Sequence, residues 1–157
     1  MEIVIKNILV TLAAFIAMEA VAWLTHKYIM HGLLWKLHKD HHKKDSYGFF
    51  ERNDFFFLIF ALPGMTALYF GMQANYNFLF FIGLGITLYG FTYFLVHEIF
   101  IHQRFKFFRN TDYTYFKAIR RAHKVHHKHL DKEDGECFGM LWVPMKFFRD
   151  IKSKTPA

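Results

Sequence analysis

The stretch "FLFFIGLGITLYGFTYFLVHEIFI", residues 78–101, decides the fold. It is uncharged until its last turn and is longer than the roughly 20 apolar residues that a membrane-spanning helix needs. Three glycines within it, Gly83, Gly85 and Gly90, are expected to let neighbouring helices approach closely. We therefore predict a transmembrane helix whose last turns bring His97 to the edge of the bilayer.

Two further stretches have the length and composition of spans. Ile8–Tyr28 is interrupted only by Glu19, and Phe55–Met72 contains Pro63, which a membrane helix tolerates as a kink because neighbouring helices satisfy the freed backbone groups. Residues 138–148 are too few to cross the bilayer as a helix, so we expect them to lie at the interface. The sequence therefore predicts an all-α integral membrane protein with three transmembrane helices, or four if 138–148 also enters the bilayer.

The charge distribution predicts how these spans are oriented. The formal net charge is +7, and 19 of the 20 Lys and Arg residues follow residue 26. Six lie in 27–54 and 13 follow His97, whereas the polar turn 73–77 has none. Because basic residues favour the cytoplasmic side, we expect a multi-pass inner-membrane protein with an outer N-terminus and a cytoplasmic, histidine-rich helical cap. The composition, 54% hydrophobic, fits a membrane surface rather than nucleic acid as the basic chain's partner.

The length suits one membrane-embedded domain, residues 1–157. We take the first span as a retained helix rather than a cleaved signal peptide, because it contains Glu19 and leads directly into a histidine cluster. The single cysteine, Cys137, excludes an intramolecular disulfide framework and a cysteine-based zinc site.

Ten of the eleven histidines form one pattern twice. Each copy has an H-x4-H pair at the cytoplasmic end of a predicted span, followed by an HxxHH triplet in a basic segment. The copies consist of His26, His31, His38, His41 and His42, and of His97, His102, His123, His126 and His127. His129 lies outside this repeat and is expected to be solvated.

Helix geometry predicts where these imidazoles point. Positions i, i+3 and i+4 share a helix face, so each triplet is expected to project three imidazoles the same way. The two members of an H-x4-H pair are separated by about 140° on an α-helix and do not share a face. Either the helix unwinds as it leaves the membrane, or the two imidazoles bind different metals.

Neutral imidazole is a common ligand for iron, zinc and copper, and ten imidazoles suit two metal ions. A closed structural zinc site needs only four ligands. Two adjacent iron ions in a nitrogen-rich shell could reduce O2 and attack an unactivated C–H bond of a lipid reached through the membrane. A non-enzymatic membrane metal-binding protein is the alternative, although haem would need paired histidines within facing spans.

The sequence resembles the bacterial beta-carotene hydroxylases (carotenoid 3-hydroxylases), members of the fatty acid hydroxylase/sterol desaturase superfamily of non-haem diiron membrane enzymes. The match runs nearly end to end. The stretches that carry it are "MEAVAWLTHKYIMHG" (18–32), "HKDHH" (38–42), "FERNDFFF" (50–57), "TLYGFTYFLVHEIFIHQRF" (87–105), "AHKVHH" (122–127) and "CFGMLWVP" (137–144). The chain has Glu98 where the family usually has Asp, and "MLWVPM" where it usually reads "FLYAPP".

The resemblance implies hydroxylation of the beta-ionone ring at C3, which converts beta-carotene to zeaxanthin through beta-cryptoxanthin. It implies a diiron centre, O2 as co-substrate, and electrons from ferredoxin and its reductase or a similar donor. The chain contains no GxGxxG dinucleotide-binding signature, so the reductant is expected to come from another protein. A diiron hydroxylase or desaturase acting on a sterol or a fatty acyl chain is the alternative.

Glu19 is a functional candidate because an ionisable group in a span is costly. It stands seven residues before His26 and is expected to accept a hydrogen bond, either from a ligand imidazole or from a neighbouring helix. Glu51, Asn53 and Asp54 are expected to cap the second span.

Overall fold

The computed structural model of the protein describes residues 1–43, 48–107 and 110–152. Within these ranges the chain is helical and contains no β-strand, which confirms the all-α prediction. The α-helices are α1 (Glu2–Leu24), α2 (Trp35–His42), α3 (Phe55–Gln73), α4 (Phe78–Tyr93), α5 (Thr114–His126) and α6 (Met145–Lys152). A first π-helical segment (Thr25–Leu33) follows α1, a second (Phe94–Ile101) follows α4, and a 3₁₀ turn (Arg52–Asp54) precedes α3.

Three continuous helical stretches are long and apolar enough to cross a membrane, as predicted. They are Glu2–Leu33, Arg52–Gln73 and Phe78–Ile101. The first begins six residues before the predicted Ile8, because polar residues do not prevent helix formation and an acidic residue in the first turn interacts favourably with the helix dipole. Among the residues that the structure describes, no fourth helix has the length of a span.

The chain divides into two compact units, of which the first contains Met1–Val21 and Asp54–Thr92. Its helices approach closely at two of the three glycines of α4. A Cβ added at Gly83 would lie 2.6 Å from the main-chain nitrogen of Leu68, and one added at Gly85 would lie 2.7 Å from the Cβ of Ala14. The prediction of close approach is wrong for Gly90, where an added Cβ would meet no described atom within 4 Å.

The second unit contains Ala22–Asn53 and Tyr93–Ala157, and its apolar core lies between α5 and α6. The buried residues of this core are Ala118, Ile119, Ala122, Val143 and Phe147. Within 138–148, Val143 and Phe147 bury their side chains against α5, and the interfacial placement of the segment stays a prediction. Trp142 in the same segment is 83% exposed.

Candidate metal centre

Both H-x4-H pairs lie at π-helical segments. In a π-helix each N–H bonds to the carbonyl five residues back, so residues five apart lie much closer to one face than they do on an α-helix. The main-chain N–H of His102 donates to the carbonyl of His97 at 2.9 Å, and their ring centroids are 4.5 Å apart. The centroids of His26 and His31 are 5.2 Å apart. The structure thus shows the first of the two alternatives: the helix unwinds, here from α to π geometry, and each pair converges.

Nine of the ten repeated histidines gather in two groups, in each of which one nitrogen per residue lies within 4.8 Å of all the others. The first group comprises His26, His31, His38, His42 and His126; the second group comprises His41, His97, His102 and His123. Each group holds the pair and the first triplet histidine of one copy. Each also contains the middle triplet histidine of the other copy, so the triplets are divided between the groups.

His127, the tenth repeated histidine, lies against both groups. Its ring stacks on that of His42 with centroids 4.5 Å apart, and it lies 4.5 Å from the His123 ring and 4.8 Å from the His41 ring. Its Nε2 is buried and has no hydrogen-bond partner among the described residues. His127 is the counterpart of His42 in the repeat, so by symmetry its place is in the second group.

The Nε2 atoms within each group approach one another closely. The separations are 3.1 Å for His26 and His38, 3.2 Å for His38 and His42, 3.3 Å for His31 and His126, and 2.8 Å for His102 and His123. Ligands about 2.1 Å from a metal and at right angles to each other lie about 3 Å apart. The spacing of the nitrogens therefore fits metal ions bound between them.

In the first group, the Nδ1 of every imidazole faces a neutral oxygen. The pairs are His26 with the Phe138 carbonyl at 2.9 Å, His31 with the Lys132 carbonyl at 3.2 Å, His38 with the Asn53 side-chain oxygen at 2.6 Å, His42 with the His129 carbonyl at 2.9 Å, and His126 with the Glu136 carbonyl at 2.8 Å. An Nδ1 that donates to an oxygen carries the ring hydrogen, which leaves the Nε2 lone pair for a metal. The surrounding chain thus fixes the tautomer suited to binding.

In the second group, two imidazoles face carboxylates instead. The Nδ1 of His41 donates to Glu51 Oε2 at 2.9 Å, and the Nδ1 of His97 donates to Glu98 Oε1 at 2.6 Å. Arg104 bridges these carboxylates, with Nη2 3.1 Å from Glu51 Oε2 and Nε 2.7 Å from Glu98 Oε2.

These contacts correct the predicted helix caps. Glu51 and Asn53 hold His41 and His38 rather than capping the second span, because buried imidazole N–H groups need acceptors. Asp54 does occupy the N-cap position of α3, but without a side-chain capping hydrogen bond.

Burial favours the neutral form of four imidazoles that lie outside the spans. Loss of hydration lowers the pKa of His42 to about 4 and that of His126 to about 3, and repulsion by neighbouring imidazoles adds to the effect. The same causes hold the pKa values of His41 and His123 well below the usual range. Neutral imidazole is the form that binds metals, so these histidines are ready to act as ligands near neutral pH.

Glu19 accepts a hydrogen bond from a neighbouring helix. The hydroxyl of Tyr89 on α4 donates to Glu19 Oε2 at 2.8 Å, and Tyr89 is only 3% exposed. The ring of Phe15 packs edge-on against Tyr89 with centroids 5.5 Å apart. This contact joins α1 to α4 within the first unit.

Several functional contacts escaped sequence reasoning. Glu51, Asn53 and Arg104 stand in the stretches "FERND" and "IHQRF", so their proximity to the histidine motifs was the available signal. The carbonyl acceptors gave no signal, since every residue has a carbonyl. His129, expected to be solvated, is half-buried, and its carbonyl accepts the hydrogen bond from His42.

Comparison with known proteins agrees with this geometry. The sequence profile of the fatty acid hydroxylase family matches residues 11–147. A protein of Pantoea ananas named beta-carotene hydroxylase is 39% identical over 140 residues, which are 89% of this chain and 79% of that protein. A protein of Paracoccus sp. (strain PC1) with the same name is 33% identical over 148 residues, 92% of this chain and 90% of the relative.

A plant relative also matches. Beta-carotene hydroxylase 1, chloroplastic, of Capsicum annuum is 37% identical over 134 residues, 83% of this chain and 42% of that longer protein. No solved structure matches the chain at a comparable level of significance.

Proposed function

Because the chain belongs to the fatty acid hydroxylase family, we propose that it is a membrane-bound, O2-dependent carotenoid hydroxylase. Its reaction is the addition of hydroxyl groups at C3 of the beta-ionone rings, from beta-carotene through beta-cryptoxanthin to zeaxanthin. The relatives' names support the substrate class. The observation that carries the chemistry is the convergence of two buried histidine groups at the ends of two apolar helices.

The site suits two iron ions, one in each group, with all ten repeated histidines as ligands. Their Nε2 separations and fixed tautomers support this assignment. Bound iron supplies the redox chemistry that reduces O2 and attacks an unreactive C–H bond. The protein contributes neutral ligands, acceptors that keep each imidazole oriented, and apolar helices that suit a lipid substrate.

The histidine groups lie on the cytoplasmic side of the inner membrane in this proposal. The support is the charge pattern, since the basic residues flank both histidine segments and the 73–77 turn carries none. Electrons would then arrive from a soluble cytoplasmic carrier.

We assign the docking of that carrier to the basic face of α5. Four cations recur at i, i+3, i+4 and i+7 and so share one face, while His123 and His126 point to the opposite, buried face. The four are Lys117, Arg120, Arg121 and Lys124. Lys117 and Arg121 form exposed ion pairs with Asp112 at 3.2 Å and Asp150 at 3.0 Å, which are weak enough for an acidic electron carrier such as ferredoxin to replace. A carrier bound here would be separated from both histidine groups by α5 alone. Lipid headgroups fit less well, because the apolar face of α5 is already buried against α6.

Expression in cells that make beta-carotene tests the proposed activity. With iron and a ferredoxin system present, extracted pigments should shift to beta-cryptoxanthin and zeaxanthin, resolved by chromatography and mass. His126→Ala should abolish the shift because it removes a buried ligand from the first group. Lys36→Ala, at an exposed position of α2, should leave it unchanged.

Unchanged pigment with folded, iron-containing protein would reject the carotenoid substrate. Lipid profiles of the same cells then distinguish a sterol or fatty acyl hydroxylase from a protein that only binds metal.

A further inference from the structure

We propose that the two metal positions are unequal: Glu51, Glu98 and Arg104 make the second group bind a divalent metal more tightly than the first. This inference rests on the proposed two-metal site but not on the substrate. It assigns these three side chains as positioning residues, because they act through His41 and His97.

The first observation is the difference in charge behind the ligands. All five imidazoles of the first group donate through Nδ1 to neutral carbonyl or amide oxygens. In the second group, His41 and His97 donate to carboxylates at 2.9 and 2.6 Å. A carboxylate that accepts the imidazole N–H draws the proton towards itself and makes the opposite Nε2 a stronger donor to the metal. Two such ligands in one group therefore favour metal binding there.

The second observation is the ion-paired bridge that holds these carboxylates. The Arg104 side chain is 15% exposed and contacts both Glu51 and Glu98, each 14% exposed. One guanidinium thus contacts both carboxylates that accept from ligand imidazoles. Because the planar guanidinium fixes both acceptors, it also fixes the rings of His41 and His97, which stack with centroids 5.0 Å apart.

Asp40, another buried acid of this region, does not give the first group a carboxylate acceptor of its own. Asp40 is 3% exposed and stands between two ligands in the sequence, but its Oδ2 accepts from the main-chain N–H and Nε of Arg52. None of the first group's Nδ1 hydrogen bonds goes to it. Among the hydrogen bonds of the described residues, the carboxylates that accept from ligand imidazoles are therefore those of Glu51 and Glu98, in the second group.

Metal titration of the full-length protein in detergent tests this inference. After chelation, Co²⁺ is added against a competing chelator of known affinity, and binding is followed by the visible absorption of Co²⁺ in a nitrogen shell. The native protein should bind two Co²⁺ ions in two separable steps. Replacing a carboxylate acceptor behind a ligand typically costs ten- to a hundredfold in metal affinity. Glu51→Gln and Glu98→Gln should therefore weaken the tighter step by about 10- to 100-fold and leave the weaker step unchanged.

The chain offers a reciprocal, nearly isosteric variant. Asn53→Asp places a carboxylate where the His38 Nδ1 of the first group now meets an amide oxygen. It should therefore raise the Co²⁺ affinity of the weaker step and reduce the difference in affinity between the two steps. Arg104→Gln removes the guanidinium that holds both carboxylates in place, so it should weaken the tighter step by freeing the His41 and His97 rings. Arg104→Lys can still form an ion pair with one carboxylate and should restore part of that affinity. Retention volume and circular dichroism check that each variant is folded.

Two equal Co²⁺ steps in the native protein would overturn the inference, as would Glu→Gln variants that weaken only the weaker step. Failure of the proposed function looks different. Two unequal steps in a protein that leaves beta-carotene unchanged would reject the substrate and keep the asymmetry, whereas active enzyme with two equal steps would reject the asymmetry alone.

Discussion

Replacing Gly85 by alanine should destabilise the protein through one contact between α4 and α1. An added Cβ would meet the carbonyl oxygen of Thr11 and lie 2.7 Å from the Cβ of Ala14, whereas ordinary contact begins at 3.4 Å. The shortfall is about 0.7 Å, and no rotamer relieves it because the neighbours are main-chain and Cβ atoms. Overpacking of this kind costs about 1–3 kcal/mol, and the helix propensity gained by replacing glycine offsets up to about 1 kcal/mol. With the full propensity gain subtracted, the net loss at the upper end of this range is about 2 kcal/mol.

Gly90→Ala is the matched control, since the same substitution on the same helix meets open space. Gly90→Ala should stabilise the helix by up to about 1 kcal/mol through the higher helix propensity of alanine, without any cost of overpacking. Thermal unfolding in one detergent, followed by circular dichroism, should place Gly85→Ala several degrees below the native protein and Gly90→Ala at or above it. If Gly85→Ala melted with Gly90→Ala or above it, the close approach of α4 to α1 would be refuted.

Two other expectations concern the second unit. Burial raises the pKa of the Cys137 thiol to about 11, so at pH 8 only about 0.1% of it is thiolate. Iodoacetamide should therefore modify Cys137 about a hundredfold more slowly in the folded protein than after denaturation. Equal rates of modification would show that the thiol is not shielded. Charge reversal on the basic face of α5, by Lys117→Glu with Lys124→Glu, should raise KM for reduced ferredoxin with kcat largely kept, and the effect should shrink at high salt. Lys36→Glu on α2 is compared with Lys124→Glu alone, since each changes the net charge by the same amount, and an equal KM change for the two would contradict docking on α5.

The spans were predictable because crossing a bilayer imposes a length and a composition that the sequence shows directly. The third span ends where the sequence predicts, at Ile101. The first begins earlier because Glu2 and Lys6 join the helix, and hydropathy does not mark where a helix starts. Contacts between helices were harder to predict. Composition alone cannot distinguish Gly85, which faces α1, from Gly90, which faces no described neighbour.

The histidine pattern predicted which residues gather but not how they divide. The change from α to π geometry at His97–His102 has no local sequence signal, because both geometries satisfy the main-chain groups and tertiary packing selects between them. The departure from the family pattern at Glu98 acquires a physical meaning only in the structure. There its longer side chain accepts a hydrogen bond from the adjacent His97 and forms an ion pair with Arg104.

The exchange of the middle triplet histidines explains why a repeated motif does not give two independent sites. His41 of the first copy stands in the second group, and His126 of the second copy stands in the first group. Neither copy therefore completes a group alone, and both groups need α2 and α5 to be brought together. The histidines of each group come from distant parts of the chain, so a metal ion bound between them would hold those parts together, and its binding free energy would add to that of folding. A motif duplicated in sequence thus becomes one shared centre, in which loss of either middle histidine removes a nitrogen from the other copy's group.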